Sequence, residues 1–206
     1  TLQRVSPAYL EVENSLASWQ PDGSIVVWTS SQKPFIDRLA IACVLGIDPE
    51  KVIVRSAAVG GAFGGKEDSI LAVLASLAAL KTKSSVLLAN ERRESFVAHP
   101  KRHPAVTTLK IGARRDGSLT ALSCRALMDT GAYASYGPAV GSQFTEMTPG
   151  AYNIPNVDIH TDLCYTNTPP SGAMRGFGNP QAVFAIESMM NILAARLGMD
   201  PFDLRE

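Results

Sequence analysis

The sequence has no cluster of metal-binding side chains, no long apolar run and no excess charge of either sign. Its three cysteines, Cys43, Cys124 and Cys164, are far apart and odd in number. That excludes a zinc cluster and a complete disulfide framework. Read as buried or half-buried thiols, they suit a reducing, cytoplasmic setting. His99, His103 and His160 do not fall at zinc-ligand spacing. His99 and His103 are four apart, but Pro100 and Pro104 break any helix that would align them, so surface or hydrogen-bonding roles are expected. No stretch reaches the roughly 18 apolar residues of a membrane span, and no signal peptide is visible. Lys plus Arg equals Asp plus Glu at 19 each, so nothing marks a nucleic-acid or anionic-membrane binder.

What is present is a globular composition, 46% hydrophobic and 18% charged over 206 residues. That length holds one domain of ordinary size or two lobes. "LEVENSLASWQ" and "IVVWTSSQ" read as strands around a turn at Asp22-Gly23. Pro34 opens a helix on which Ile36, Leu39, Ala40, Cys43 and Val44 share one face, and Gly46 closes it. "KVIVRSAAV" is a strand, "SILAVLASLAALKTK" a helix apolar on most sides and hence buried, and "SSVLLANE" a strand; together they suggest a right-handed crossover unit. Residues 92–102 form a short helix or irregular connection. Residues 105–133 read as a long hairpin turning at Asp116-Gly117, and residues 136–157 as an extended loop. "VDIHTDLCYTN" is a strand, and "AVFAIESMMNILAARLG" an amphipathic helix ending at Gly198. The opening "TLQRVSPAYLEV" without Met, and "DPFDLRE" read as an interrupted helix, suggest a piece of a longer chain. The fold class is α+β, with mixed sheets and packed helices.

"VGGAFGGKED", residues 59–68, follows one strand and precedes a helix. A phosphate-binding loop needs Gly, four residues, Gly, Lys and then Ser or Thr. Here Glu67 occupies the hydroxyl position, Asp68 follows, and a carboxylate there would repel phosphate. "ALMD" ending at Asp129 gives little support as an acidic partner motif, and Ala62 breaks the dinucleotide fingerprint. Glycine this dense loses packing and conformational entropy, so the loop reads as built for close backbone approach to a bulky polar ligand, with Phe63 as an aromatic wedge or lid. A structural turn is the alternative. "PPSGAMRGFGNPQ" repeats the style, with Arg175 between glycines able to reach a carbonyl, carboxylate or phosphate in forked geometry.

Taken in order, "WTSSQKP", "VGGAFGGKE", "DTGAY", "TNTPPSGAMRGFGNPQ" and "ESMMNILAARLGMDPFDLRE" resemble the molybdenum hydroxylases of the xanthine dehydrogenase and aldehyde oxidase family. The likeness is to their large, molybdopterin-binding subunit. "RRESFVAHPKRHP" fits as well, so the resemblance spans nearly the whole chain, read as a partial molybdopterin-binding region over residues 1–206.

The resemblance implies that Gln32 hydrogen-bonds an oxygen ligand on molybdenum. Phe63 and Gly64 would pack on the cofactor and offer it a backbone N–H. Gly61, Gly65 and Gly176 would complete the cofactor contacts. Arg175 would stabilise charge developing on the substrate, and Glu67 falls where purine-hydroxylating members contact theirs. An N-heterocycle is thus favoured over an aldehyde. Met174 and Gly176 flank Arg175 where carbon monoxide dehydrogenases carry a cysteine, which disfavours that chemistry. No protein ligand to the metal is expected, because the pterin's sulfurs hold it. The implied reaction hydroxylates an electron-poor carbon with oxygen from water. Electrons would leave through a two-iron, two-sulfur centre and FAD on partner subunits or other segments, in an enzyme that is a homodimer as a whole. The pterin is carried with or without a cytosine dinucleotide. The family's general-base glutamate lies in a Gly-x-Gly-Glu stretch absent here, so these 206 residues alone are expected neither to hold the cofactor firmly nor to turn over. Glu187 reads as structural or as helix N-terminal charge. Two departures bear on substrate identity: no His precedes the "LE" of "VSPAYLEVE", and Met174 stands where Phe or Tyr is frequent. A nucleotide-binding module and a non-catalytic assembly domain are the competing readings.

Overall fold

The computed structural model describes residues 1–206. The chain forms two compact units, one of Ser6–Pro100 and one of Thr1–Val5 with Lys101–Glu206.

In the Ser6–Pro100 unit a four-stranded sheet runs in the order β3-β2-β1-β4, with β1 Asn14–Trp19, β2 Ile25–Thr29, β3 Val52–Ser56 and β4 Ser85–Ala89. β1 is antiparallel to both β2 and β4, and β2 is parallel to β3. The turn joining β1 to β2 closes at Gly23 in the left-handed region (φ 82°), where Asp22 accepts the Ser24 N–H at 2.9 Å. β3 and β4 occupy opposite edges, so the connection through helix α2 (Ile70–Thr82) passes two intervening strands.

Helix α1 (Pro34–Leu45) and α2 cover the sheet with small side chains. Ile41 and Ala42 of α1 and Ala72, Ala75 and Ala79 of α2 meet Ala17, Ile25, Val27 and Val52. Alanines let a helix axis approach a sheet closely, which is why α2 buries its alanine face and leaves Ile70 and Leu74 half exposed. The expectation of a helix buried on most sides therefore holds for one face only. The α1 stripe is a clearer correction: Ile36, Leu39, Cys43 and Val44 are exposed, and the buried face carries Asp37, Ile41 and Ala42. Asp37 turns inward because the Ser31 and Ser69 hydroxyls donate to its carboxylate. A buried charge satisfied in this way overrides an apolar stripe. Gly46 ends α1 in a left-handed cap, as expected. A short helix, α3 (Arg92–Ala98), follows β4.

In the other unit β5 (Ala105–Ala113) and β6 (Leu119–Gly131) form the expected long hairpin, and β7 (Val157–Tyr165) joins β6 in parallel. A parallel neighbour needs a crossover, and residues 137–147 supply it as helix α4 (Gly137–Met147), not as the extended loop expected there. Pro138 sits in the first turn, where proline favours a helix, and Val140 and Phe144 give the helix a buried face. Helix α5 (Asn179–Leu197) ends at Gly198 and packs with the sheet through Ala182, Ile186 and Met190. "DPFDLRE" forms a single 3-10 turn over Asp203–Arg205 and not a longer helix.

Of the three thiols only Cys124 is buried, and burial raises its pKa. Cys43 and Cys164 lie at the surface because α1 exposes its apolar stripe and β7 is an edge strand. The fold is α+β with two mixed sheets, as the sequence suggested.

Candidate functional site

Three residues in the first glycine loop leave the usual backbone region: Gly61 (φ 89°), Phe63 (φ 53°) and Gly64 (φ 91°). A phenylalanine at positive φ is held against its own preference, and it leaves the ring 49% exposed. Gln32, just beyond β2, fastens this bend. Its Oε1 accepts the N–H groups of Gly64 at 3.0 Å and Lys66 at 3.2 Å, and its own N–H donates to Lys66 O at 3.2 Å. With Oε1 fixed by two backbone donors, the amide Nε2 is left as a donor with no acceptor in the chain. The Gly64 N–H, expected to face a ligand, is thus turned to Gln32, and the Gly65 N–H goes to Ala62 O at 2.8 Å.

Lys66 does not reach outward. It is 3% exposed, its Nζ lies 2.7 Å from Glu11 Oε2, and it sits over the Tyr9 ring at 4.9 Å. The loop closes in a 3-10 turn over Gly65–Glu67, and α2 begins only at Ile70. A phosphate loop needs a free lysine and a helix opening at the loop, and neither is present. Glu67 lies 3.8 Å from Lys33 Nζ, each side chain about one quarter exposed at 24%.

The density of glycine has a partly internal cause. A Cβ at Gly60 would lie 2.5 Å from the Glu11 Cβ, and one at Gly65 would strike the Tyr9 ring. Segment 7–11 runs directly under the loop, so close backbone approach serves the chain itself as well as any ligand. Glu11 and Tyr9 were not among the expected site residues. Desolvation alone would raise the Glu11 pKa, but hydrogen bonds from Lys66, Ser30, the Gly60 N–H and Asn14 outweigh it and bring it down to about 2.

Glu13 is buried nearby, accepting from Asn90 Nδ2 at 3.1 Å and Ser95 Oγ at 2.9 Å, with His99 Nε2 at 3.6 Å. A cavity of about 230 Å³ opens beside Glu13, Asn90, His99, Lys66 and Ser69; Gln32, Phe63 and Gly64 do not line it. His99 is therefore an interior residue, not a surface one.

In the other unit the second loop bears the same backbone signature, with Gly176 at φ 88°, Phe177 at 46° and Gly178 at 99°. The Phe177 and Tyr136 rings meet edge to face, 5.9 Å apart. Lys101 N–H donates to Pro170 O at 3.1 Å, Gly172 N–H to Lys101 O at 2.9 Å, and Arg102 Nη2 to the Arg175 carbonyl at 2.7 Å. The Arg175 backbone is fastened, while its guanidinium is exposed with no hydrogen bond or ion pair within the chain.

Beneath the loop Gln181 Nε2 donates to His103 O at 3.1 Å. The His103 ring is fully buried, neither nitrogen has a partner, and the expected surface or hydrogen-bonding role does not hold for its imidazole. Burial, reinforced by Arg4 and Arg102 and opposed by Asp129, lowers its pKa to about 4.

"DTGAY" turns out to be a corner. Asp129 takes the Gly131 N–H at 2.7 Å, Thr166 Oγ1 at 2.6 Å and Arg4 Nη2 at 2.6 Å. Glu187 lies in the middle of α5, not at its N-terminus, accepting from Tyr152 Oη at 2.6 Å and Arg205 Nη2 at 2.7 Å. The structural half of its expected role stands.

The structure thus gathers Gln32, Gly61, Phe63, Gly64, Gly65 and Glu67 in one unit and places Arg175 and Gly176 in the other. The outward donors are one amide N–H and one guanidinium, accompanied by half-exposed aromatic surface. Each donor suits an oxygen-rich or anionic group, and neither is a metal ligand.

The family model described as "Molybdopterin cofactor-binding domain" matches residues 1–206. The nicotinate dehydrogenase large molybdopterin subunit of Eubacterium barkeri is 41% identical over 202 residues, covering 98% of this chain and 48% of that protein. A xanthine dehydrogenase molybdenum-binding subunit of Escherichia coli is 35% identical over 202 residues, 98% of this chain and 27% of that protein. Among solved structures, the aldehyde oxidoreductase from Desulfovibrio gigas superposes with a TM-score of 0.96 at 30% identity, over 99% of this chain and 22% of that one. The chain spans about half or less of the length of the relatives it matches.

Proposed function

This chain belongs to the molybdopterin cofactor-binding domain family, and we propose that it forms part of a molybdenum hydroxylase that oxidises an N-heterocycle, purine- or nicotinate-like, with water as oxygen source. The observation that carries the reading is Gln32: two backbone donors fix its Oε1, so its Nε2 is held ready to donate. A preorganised donor of this kind needs no reorganisation when a negatively charged oxygen arrives.

The cofactor, when bound, supplies the two-electron oxidation and the oxygen transfer. The residues here bind and orient. Gln32 donates to an oxygen on the cofactor, Phe63 covers it with an apolar face that excludes water, and Gly61, Gly64, Gly65 and Gly176 keep the backbone close. Arg175 offers a cation, on a fastened backbone, to negative charge developing on the substrate. Glu67 receives a ring N–H or orients a ring nitrogen, a contact that an N-heterocycle uses and a simple aldehyde does not. The similarity to a nicotinate dehydrogenase subunit agrees with that choice.

The general base and the rest of the cradle belong to other segments, so residues 1–206 alone neither retain the cofactor nor turn over. Electrons pass to iron–sulfur and flavin subunits or domains of a cytoplasmic, homodimeric enzyme. The pterin takes a cytosine dinucleotide or none.

The experiment is a substrate comparison on the holoenzyme in oxygen-18 water, using nicotinate, a purine and an aromatic aldehyde, with and without Glu67→Gln. The expected result is labelled hydroxylated heterocycle, with kcat/KM for it falling at least tenfold in the variant. Aldehyde turnover that exceeds heterocycle turnover and is untouched by Glu67→Gln would overturn the substrate assignment and leave aldehyde oxidation as the function.

A further inference from the structure

We propose that Glu11 is a positioning residue that closes the cofactor-facing loop by tying its two ends to one carboxylate. The inference rests on the cofactor reading of that loop. Glu11 Oε2 takes the Gly60 N–H at 2.6 Å, at the loop's start, and Lys66 Nζ at 2.7 Å, at its end. The Glu11 N–H donates to Gly60 O at 3.1 Å, so the same residue grips the start twice. Its other oxygen receives Ser30 Oγ at 2.7 Å and Asn14 Nδ2 at 3.2 Å, which fixes the carboxylate in place.

Every group assigned to face the cofactor in this unit lies inside the tie or hangs from it. Gly61, Phe63, Gly64 and Gly65 lie between its ends. Gln32 is held by the N–H groups of Gly64 and Lys66, so Glu11 reaches the outward Nε2 through the tied loop. Phe63 and Gly64 both stand in the left-handed region, a backbone state that persists only where the surroundings impose it. The carboxylate supplies that constraint. Its pKa of about 2 keeps it charged throughout the neutral range. Lys66, almost wholly buried, depends on Glu11 for its counter-charge. The lysine that makes this stretch look like a phosphate loop is then half of a clamp, paired with Glu11.

The test uses the whole protein, as holoenzyme and after cofactor removal. In Glu11→Gln, amide hydrogen exchange across residues 60–66 should speed up at least tenfold, while β1, β2 and β4 change less than twofold. Molybdenum per chain should fall below a third of the parent value. In the fraction still loaded, kcat per molybdenum should drop with KM within twofold, because the loop orients the cofactor and not the substrate. Lys66→Arg alone, which preserves the charge pair, should keep loop exchange within threefold of the parent. If Glu11→Gln does not fold, Glu11→Gln with Lys66→Met removes both charges together and should give the same local loosening. Unchanged loop exchange with full molybdenum content in Glu11→Gln, or in the double variant, would overturn the proposal. Parent protein without molybdenum would instead overturn the cofactor reading. Faster loop exchange in the variant would then support the clamp alone, and unchanged exchange would sink it as well.

Discussion

Phe63-Gly64 and Phe177-Gly178 adopt nearly the same backbone, with φ values of 53° and 91° in one loop and 46° and 99° in the other. They are held by opposite means. The first loop is tied by side chains: the Glu11 carboxylate, the Gln32 amide and a buried lysine. The second has one side-chain tie, Arg102 to the Arg175 carbonyl, but is wedged by backbone at its end, since a Cβ at Gly178 would lie 2.5 Å from Val140 O and 2.9 Å from Phe144 N of α4. Polar ties can be cut one at a time and adjusted through charge, whereas a backbone wedge tolerates no added atom. The first loop therefore carries tunable contacts, and the second presents one rigidly based arginine.

That contrast can be broken most sharply at Gly178. Gly178→Ala puts a methyl group against immovable backbone and a side chain at strongly positive φ. It should destabilise by about 4 kcal/mol in urea unfolding. A loss under 1 kcal/mol would show the wedge to be soft.

Next in size is the acid response beneath the second loop. His103 binds its proton more weakly when folded (pKa about 4) than when unfolded (about 6.5), so the unfolded chain takes up protons first as pH falls. Stability should therefore decline by about 3 kcal/mol between pH 6.5 and 4 and level off below. Both ring nitrogens are unpartnered, so His103→Leu should flatten this stretch of the curve. A slope that survives the substitution would place the titration elsewhere.

In the first loop Gly65→Ala meets the Tyr9 side chain, which can shift where backbone cannot, and should cost about 2 kcal/mol. Equal losses at Gly65 and Gly178 would erase the distinction between the loops. The smallest effect belongs to Arg175→Met. The guanidinium has no partner in the chain, so stability should stay within about 0.5 kcal/mol while substrate turnover falls. A large stability loss there would mark Arg175 as structural.

Much of the architecture was legible because its signals are local. Asp22-Gly23 and Asp116-Gly117 turned the hairpins, Gly46 and Gly198 capped helices, and alternation marked the strands. What stayed hidden depends on long-range partners. The α1 stripe faces outward because Asp37 finds two hydroxyls, Ser31 just before the helix and Ser69 from a distant segment, a pairing that periodicity does not encode. Helix α4 was concealed by glycine and proline that read as loop, although Pro138 fits a first turn and Gly141 makes room for Leu163. At the candidate site, motif order put Gln32, Phe63 and Arg175 forward as the proposed contacts. Glu11 was not, because it lies 49 residues from Gly60 and 55 from Lys66, and a lone Leu-Glu pair announces no partner. The burial of Lys66, which obliges it to find a carboxylate, shows only in the structure.

The glycine loop is proposed to hold a molybdenum-bearing pterin, and one measurement addresses that directly. Molybdenum per chain should be determined by mass spectrometry on the whole protein from its own host, together with analysis of the acid-released pterin. Near one molybdenum per chain in the parent, and less than a third of that in Glu11→Gln, is the predicted result. Parent protein free of molybdenum and pterin, from a host that makes the cofactor, would contradict it.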